Sequence, residues 1–201
     1  YSDFFVRYLF ADEDNPDILI SFINAVNEDL DFPKIKRITI RNPFNLKTSS
    51  QDKESIIDVK AEDGEGRLYD VEVQAAPSSF YAARSLYYWA KLYSGQLQEG
   101  GEYKILKPAI CINLLAFSLI PGMEQYHSCF LLKEKSNPDI VLTDNLIMHF
   151  IELPKFTKSE GFASRIEKWL GYFKYENQGD FDMKTVFENI PELEKAHEKL
   201  K

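Results

Sequence analysis

The chain has 201 residues, 44% hydrophobic and 14% aromatic, enough apolar surface for one sizeable core and too much for wholesale disorder. A formal net charge of -8 excludes a globally basic, polyanion-coating surface, so nucleic-acid contact would need a local basic patch or bridging cations. No apolar run reaches the roughly 18 residues of a spanning helix, and Cys111 and Cys129 sit in apolar runs, as expected of free thiols in a reducing cytoplasm.

In chain order, Asp3 to Phe10 is apolar enough for a short packed helix. Asn15-Pro16-Asp17 is a helix start, with Asn as N-cap, Pro in the first turn and an acid at the positive end of the dipole. Ile18, Leu19, Phe22, Ile23 and Val26 then make a helical apolar stripe. Lys34 to Ile40 reads as a strand and Asn42 to Lys53 as a polar connection. Two alternating strands follow, joined by the Asp63-Gly-Glu-Gly66 turn. Pro77-Ser-Ser79 opens a helix of about twenty residues, closed by Gly100-Gly101, with Phe80, Ala83, Tyr87, Ala90, Ser94 and Leu97 as its buried seam. Arg84, Tyr88 and Lys91 form a polar row beside it.

Pro108 to Phe117 is an apolar run rich in Ile and Leu, expected of a strand buried on both faces. Tyr126–Leu132 and Leu146–Leu153 read as further strands around the Asn137-Pro-Asp139 turn. Ser159 is placed to cap a helix carrying Phe162, Ile166, Trp169, Leu170 and Phe173, and a last helix begins near Pro191. The order α-β-β-β-α-β through residue 117 is a mixed α/β core. With no repeat or linker, residues 1–201 form one expected domain, its core within about residues 1–120 and further strands and C-terminal helices in 121–201. Tyr1 in place of Met, and a C-terminus inside a helical pattern, lead us to expect short missing pieces at both ends.

The chemistry-bearing stretch is the hairpin. Val59 and Ala61 share one face of the first strand with Ile57, and Asp58, Lys60 and Glu62 share the other. In the second strand Tyr69, Val71 and Val73 alternate with Asp70, Glu72 and Gln74. Asp58, Glu72 and Gln74 on adjacent strands give an oxygen-rich set suited to a hard divalent cation. The same alternation suits the solvent face of a half-buried hairpin, and spacing leaves both readings open. Asp and Glu are poor strand formers, so their mid-strand positions call for a reason.

The order Asp58, turn, Glu72-Val-Gln74, helix resembles the PD-(D/E)XK nuclease superfamily, and within it the transposase-like, recombination-promoting nucleases. The pattern extends through Asp3-Phe-Phe, Leu19 to Ala25, Lys53 to Asp58, Arg84…Tyr88…Leu92-Tyr-Ser-Gly-Gln96, Gly101-Glu-Tyr103, Pro108 to Ile112, Ile151 to Phe156 and Lys168-Trp169. The resemblance implies a restriction-endonuclease-like mixed sheet flanked by helices. It implies a metal-dependent endonuclease acting on double-stranded DNA, with recombination or mobile elements as the setting its family name suggests and a dimer as one option; the cysteines and the lack of a spanning segment lead us to expect a cytoplasmic protein. It further implies that Asp58 and Glu72, with the Val73 carbonyl, ligate Mg²⁺ or Mn²⁺, and that Gln74 completes the catalytic set, supported by Arg84, Tyr88 and Lys53.

Gln74 stands where the superfamily signature has Lys, keeping hydrogen-bonding capacity without the charge. Val6-Arg7 likewise departs from the family's Phe-Lys. Lys34, Lys36, Arg37 and Arg41 form the densest basic stretch and are the expected DNA-backbone contacts. His127 and Cys129, two apart on a strand, have no second pair at metal-site spacing and are expected to be core or surface residues, while His149 and His197 stand alone. The alternative is a catalytically silent nuclease-fold module that binds nucleic acid or a protein partner.

Overall fold

The computed structural model describes residues 8–41, 59–157, 161–176 and 183–199. Six strands form one mixed sheet: β1 (Ile38–Ile40), β2 (Val59–Asp63), β3 (Leu68–Gln74), β4 (Ala109–Leu115), β5 (His127–Lys133) and β6 (Val141–Glu152), in spatial order β1-β2-β3-β4-β6-β5. β1–β2 and β2–β3 pair antiparallel, β3–β4 and β4–β6 parallel, and β5–β6 antiparallel. The helices are α1 (Pro16–Asp29), α2 (Tyr81–Ser94), α3 (Arg165–Tyr175), α4 (Lys184–Phe187) and α5 (Pro191–Lys199). The mixed α/β class and the α-β-β-β-α-β order through residue 117 are as the sequence predicts. Among the described residues no helix is long and apolar enough to cross a membrane.

Side-chain alternation gives the sheet two different faces. Val59, Ala61, Tyr69, Val71, Ile110, Ile112 and Ile151 enter the larger core with α1, α3 and α5. Its centre is aromatic: Phe10 stacks on Phe22 at 4.8 Å, and Trp169 lies 5.5 Å from Phe22 and 5.7 Å from Phe173. On the opposite face α2 covers two smaller clusters, one of Tyr81, Cys111, Leu115, Met148 and Phe150, the other of Leu68, Leu92 and Ala109. β4 is buried at all seven positions because it has a strand on each side and helices on both faces.

The β2–β3 turn is held by Asp63, whose Oδ1 accepts from Glu65 N and Arg67 N and whose Oδ2 accepts from Arg67 Nε at 2.6 Å. Gly66 supplies its positive φ of 83°.

Four elements differ from their sequence prediction. Helix α2 has 14 residues and ends at Gly95 instead of Gly100-Gly101. Its buried seam is Tyr81, Ser85 and Leu92, while Phe80, Ala83, Tyr87, Ala90 and Ser94 face solvent. Both rows have helical spacing and aromatic residues. The buried one is the row whose polar tips find partners, with Trp89 Nε1 donating to Ala109 O at 2.9 Å and Tyr81 bonding into the sheet.

The Lys34–Ile40 strand shrinks to Ile38–Ile40 because the Asn24 side chain takes both backbone groups of Ile35, at 2.7 and 3.0 Å. Helix α3 is capped by Ser164, which accepts from Glu167 N, and the proposed cap Ser159 lies outside the described residues. Asn15 occupies the N-cap position of α1, but its amide donates to Asp12.

Truncating Trp169 to Ala should cost about 3–5 kcal/mol in urea unfolding, because the ring is fully buried. Leu86→Ala, on the exposed side of α2, should stay within about 0.5 kcal/mol. A Leu86→Ala loss as large as that expected at Trp169 would contradict the phase assigned to α2.

Candidate active site

The site begins with β-strand parity. Asp70, Glu72 and Gln74 project from β3 toward α2, beside Cys111, Asn113 and Leu115 of β4 in parallel register. Across the antiparallel ladder Lys60 pairs with Asp70. This face is deeply buried: Asp70 is 0% exposed and Glu72 is 4% exposed. The solvent-face reading of the alternation is therefore wrong for Glu72, and Asp70 is buried on the same face. Burial costs a carboxylate several kcal/mol unless polar partners surround it.

Those partners come from α2 and β4. The Tyr81 hydroxyl lies 3.0 Å from Glu72 Oε2 and 2.9 Å from Asn113 Oδ1. Asn113 Oδ1 also accepts from Ser85 Oγ at 2.9 Å, and its Nδ2 donates to His149 O. One phenolic proton thus serves two oxygens, so the cluster is rich in acceptors and attracts positive charge. Burial, then the Glu72 charge and hydrogen bond, push the Tyr81 phenol far above its ordinary value.

Positive charge arrives with Arg84, one turn along α2. Its Nη1 donates to Gln74 Oε1 at 3.3 Å and its Nη2 lies 3.8 Å from Glu72 Oε2. Burial opposes the guanidinium's charge, but Glu72 and then Tyr88 and Tyr81 raise its pKa above the ordinary value. Tyr88 lies under the guanidinium, with its ring centroid 5.3 Å away. Cys111 is held as a thiol by burial first and by the charges of Asp70 and Glu72 next, with Lys60 acting in the opposite direction.

The structure thus brings Glu72, Gln74, Arg84 and Tyr88 together. Val73 points its side chain into the opposite core, leaving its carbonyl as its only ligating group. Asp58 and Lys53 lie outside the described residues. The basic stretch lies on and around β1, two strands from β3, and runs from the turn end of the hairpin to Arg41, whose N–H donates to Lys60 O level with Asp70. Ile38 pairs with Asp63 at the turn end of the hairpin, whereas Glu72 and Gln74 are at the far end of β3. Lys34 is ion-paired with Glu28, Arg37 lies over Gly64, Arg41 pairs with Glu62 at 2.6 Å, and Lys36 is exposed.

Tyr81, Ser85, Asn113 and Asp70 are the residues that sequence reasoning missed. Asn113 carried a usable signal, as an amide inside an otherwise apolar, doubly buried strand must find partners. Tyr81 was hidden by the wrong helix phase. His149 is not isolated either: Asp29 Oδ2 lies 2.6 Å from His127 Nδ1, and His127 Nε2 lies 3.0 Å from His149 Nδ1. The Asp29 carboxylate can only accept, so His127 Nδ1–H donates to it and His127 Nε2 faces His149 Nδ1 as its hydrogen-bond partner. This relay lies on the α1 face of the sheet, away from Glu72.

Glu72 and Asp70 supply hard oxygen donors of the kind Mg²⁺ and Mn²⁺ prefer. Among the described residues, no group of three or more His, Cys, Asp or Glu is arranged to share an ion. Compared with known families, residues 1–201 match the model described as PD-(D/E)XK nuclease family transposase. No curated protein and no solved structure matches the chain significantly.

The histidine relay sets an acid limit on stability. Burial, and secondarily His127, lower the His149 pKa from 6.5 to about 3. The unfolded chain therefore binds this proton more readily, and stability falls as pH drops from about 6.5 toward 3. In urea titrations, His149→Gln should flatten this acid-side slope by up to about 1.4 kcal/mol per pH unit; an unchanged slope would show that His149 titrates normally.

Proposed function

The chain belongs to the PD-(D/E)XK nuclease family of transposases, and from that premise we propose that it is a metal-dependent DNA endonuclease of restriction-endonuclease-like fold. The observation that carries the reading is the nearly inaccessible Glu72 carboxylate, held beside Gln74 by Arg84 and Tyr81. Such a charge is retained at a cost, and a cation site gives it a use. The family generally uses divalent metal ions, and DNA is the substrate that its name implies.

In this reading Glu72, Asp58 and the Val73 carbonyl hold one Mg²⁺ or Mn²⁺. The β2–β3 ladder, which pairs Val59 with Val71, would have to run one residue further to bring Asp58 opposite Glu72. A bound ion of this kind lowers the pKa of water and neutralises phosphate charge. The chain's own residues do the positioning. Tyr81 fixes the Glu72 rotamer, and its proton turns to Asn113 when Glu72 is engaged elsewhere. Gln74 offers an amide to orient water or a phosphate oxygen. Arg84 supplies, from the helix, the fixed positive charge that a lysine at position 74 would have given.

The absence of that lysine favours a second reading, a silent module in which Arg84 simply neutralises Glu72. Nicking of supercoiled plasmid in Mg²⁺ or Mn²⁺ separates the two. The endonuclease reading predicts nicking by the wild type that falls at least about a hundredfold in Asp58→Ala and Glu72→Gln, more than the loss of a supporting residue costs. Arg84→Ala should lose more activity than Arg84→Lys. Nicking that survives Asp58→Ala and Glu72→Gln would overturn the assigned site. No nicking by wild type, with DNA still bound, would favour the silent module.

A further inference from the structure

The outward row of α2 is more apolar than a solvent-facing helix needs. Phe80 is 78% exposed, Tyr87 51% and Leu86 49%. The helix itself carries no acidic residue. No Asp or Glu occurs between Glu72 and Glu99, although the chain has 32 acidic residues, and Arg84 and Lys91 both fall in that interval. The groups form a continuous path away from the candidate active site. Arg84 touches Glu72 and Gln74, its guanidinium lies over Tyr88, the Tyr88 ring is 5.9 Å from Tyr87, and Lys91 Nζ sits 4.7 Å from the Tyr87 centroid. Phe80 occupies the same row two turns earlier.

Exposed aromatic faces interleaved with cations, and no acid among them, match the chemistry of unpaired nucleotides: bases stack on the rings and phosphates meet the cations. A paired helix offers phosphates but keeps its bases stacked inside, so it would leave Phe80 and Tyr87 unused. We propose that the outward face of α2 is a stacking platform for single-stranded DNA, leading an unpaired strand toward Glu72 and Gln74. The inference rests on the reading that this chain acts on DNA, and it specifies that the strand bound beside the cut is unpaired.

Binding without cleavage tests it. Wild-type protein in EDTA is titrated against a fluorescent 20-nucleotide single strand and against the matching duplex, with anisotropy as readout. The single strand should bind more tightly than the duplex. Phe80→Ala and Tyr87→Ala should each weaken single-strand binding between roughly fivefold and a hundredfold and leave the duplex unchanged. Lys91→Ala should reduce the slope of log affinity against log salt by about 0.7.

Both aromatic positions are exposed, so circular dichroism melting should remain that of the wild type, and this confirms that a binding loss is local. The platform is overturned if the aromatic variants bind single strands as the wild type does, or if the duplex binds equally well. A wild-type dimer that Tyr87→Asp dissolves would also overturn it, because a second copy would then cover this face. These outcomes leave the endonuclease assignment standing if metal-dependent nicking is observed. Loss of that assignment, with single-strand binding intact, would leave the platform on a silent module.

Discussion

The Tyr81 hydroxyl is the contact on which the polar half of this structure depends. It belongs to α2 yet lies between Glu72 of β3 and Asn113 of β4, within 3.0 Å of each. The helix also meets the sheet through Ser85 on Asn113, Arg84 on Gln74 and the apolar cluster of Leu92 and Trp89, but without the Tyr81 hydroxyl Glu72 would be a buried carboxylate with one fewer donor. The contact fixes the rotation of α2. That rotation decides that Arg84 faces Glu72 and Gln74, and that Phe80 and Tyr87 face outward. Together with Ser85 on Asn113 and Trp89 on Ala109 O, this contact sets both the content of the candidate site and the character of the surface beside it.

The two faces of the sheet divide the work. One is filled by aliphatic side chains and the Phe10, Phe22, Trp169 and Phe173 cluster, which supplies the apolar burial that a domain of this size needs. The other tolerates Asp70, Glu72 and Asn113 at its centre. Buried polar groups of this kind add little net stability, and they are costly when a partner is missing. Their concentration at one end of β3 and β4, in a chain of the PD-(D/E)XK nuclease family of transposases, is the physical reason to look there for chemistry.

Much of this was legible in the sequence. Alternation along β2 and β3 identified the Glu72–Gln74 face, the apolar run identified β4, and the spacing from Ile18 to Val26 identified α1, because each signal is local and periodic. The phase of α2 was not legible, because two rows of its residues had aromatic groups at helical spacing and only tertiary partners choose between them. The Asp29–His127–His149 relay escaped for the same reason, since its members come from three separate elements. Asn24's hold on Ile35 similarly shortened a strand that propensity alone would have extended. The basic stretch from Lys34 to Arg41 was visible as charge density, but its placement relative to Glu72 comes only from strand register, which starts β1 opposite the turn end of the hairpin and brings Arg41 level with Lys60 and Asp70.

If Glu72 is a cation ligand, calorimetric titration of Mn²⁺ into the folded protein will detect it. Wild-type protein should bind one ion per chain saturably, and Glu72→Gln should weaken this at least about tenfold while far-UV circular dichroism shows the fold retained. Equal Mn²⁺ affinity in the wild type and a folded Glu72→Gln protein would contradict ligation by Glu72.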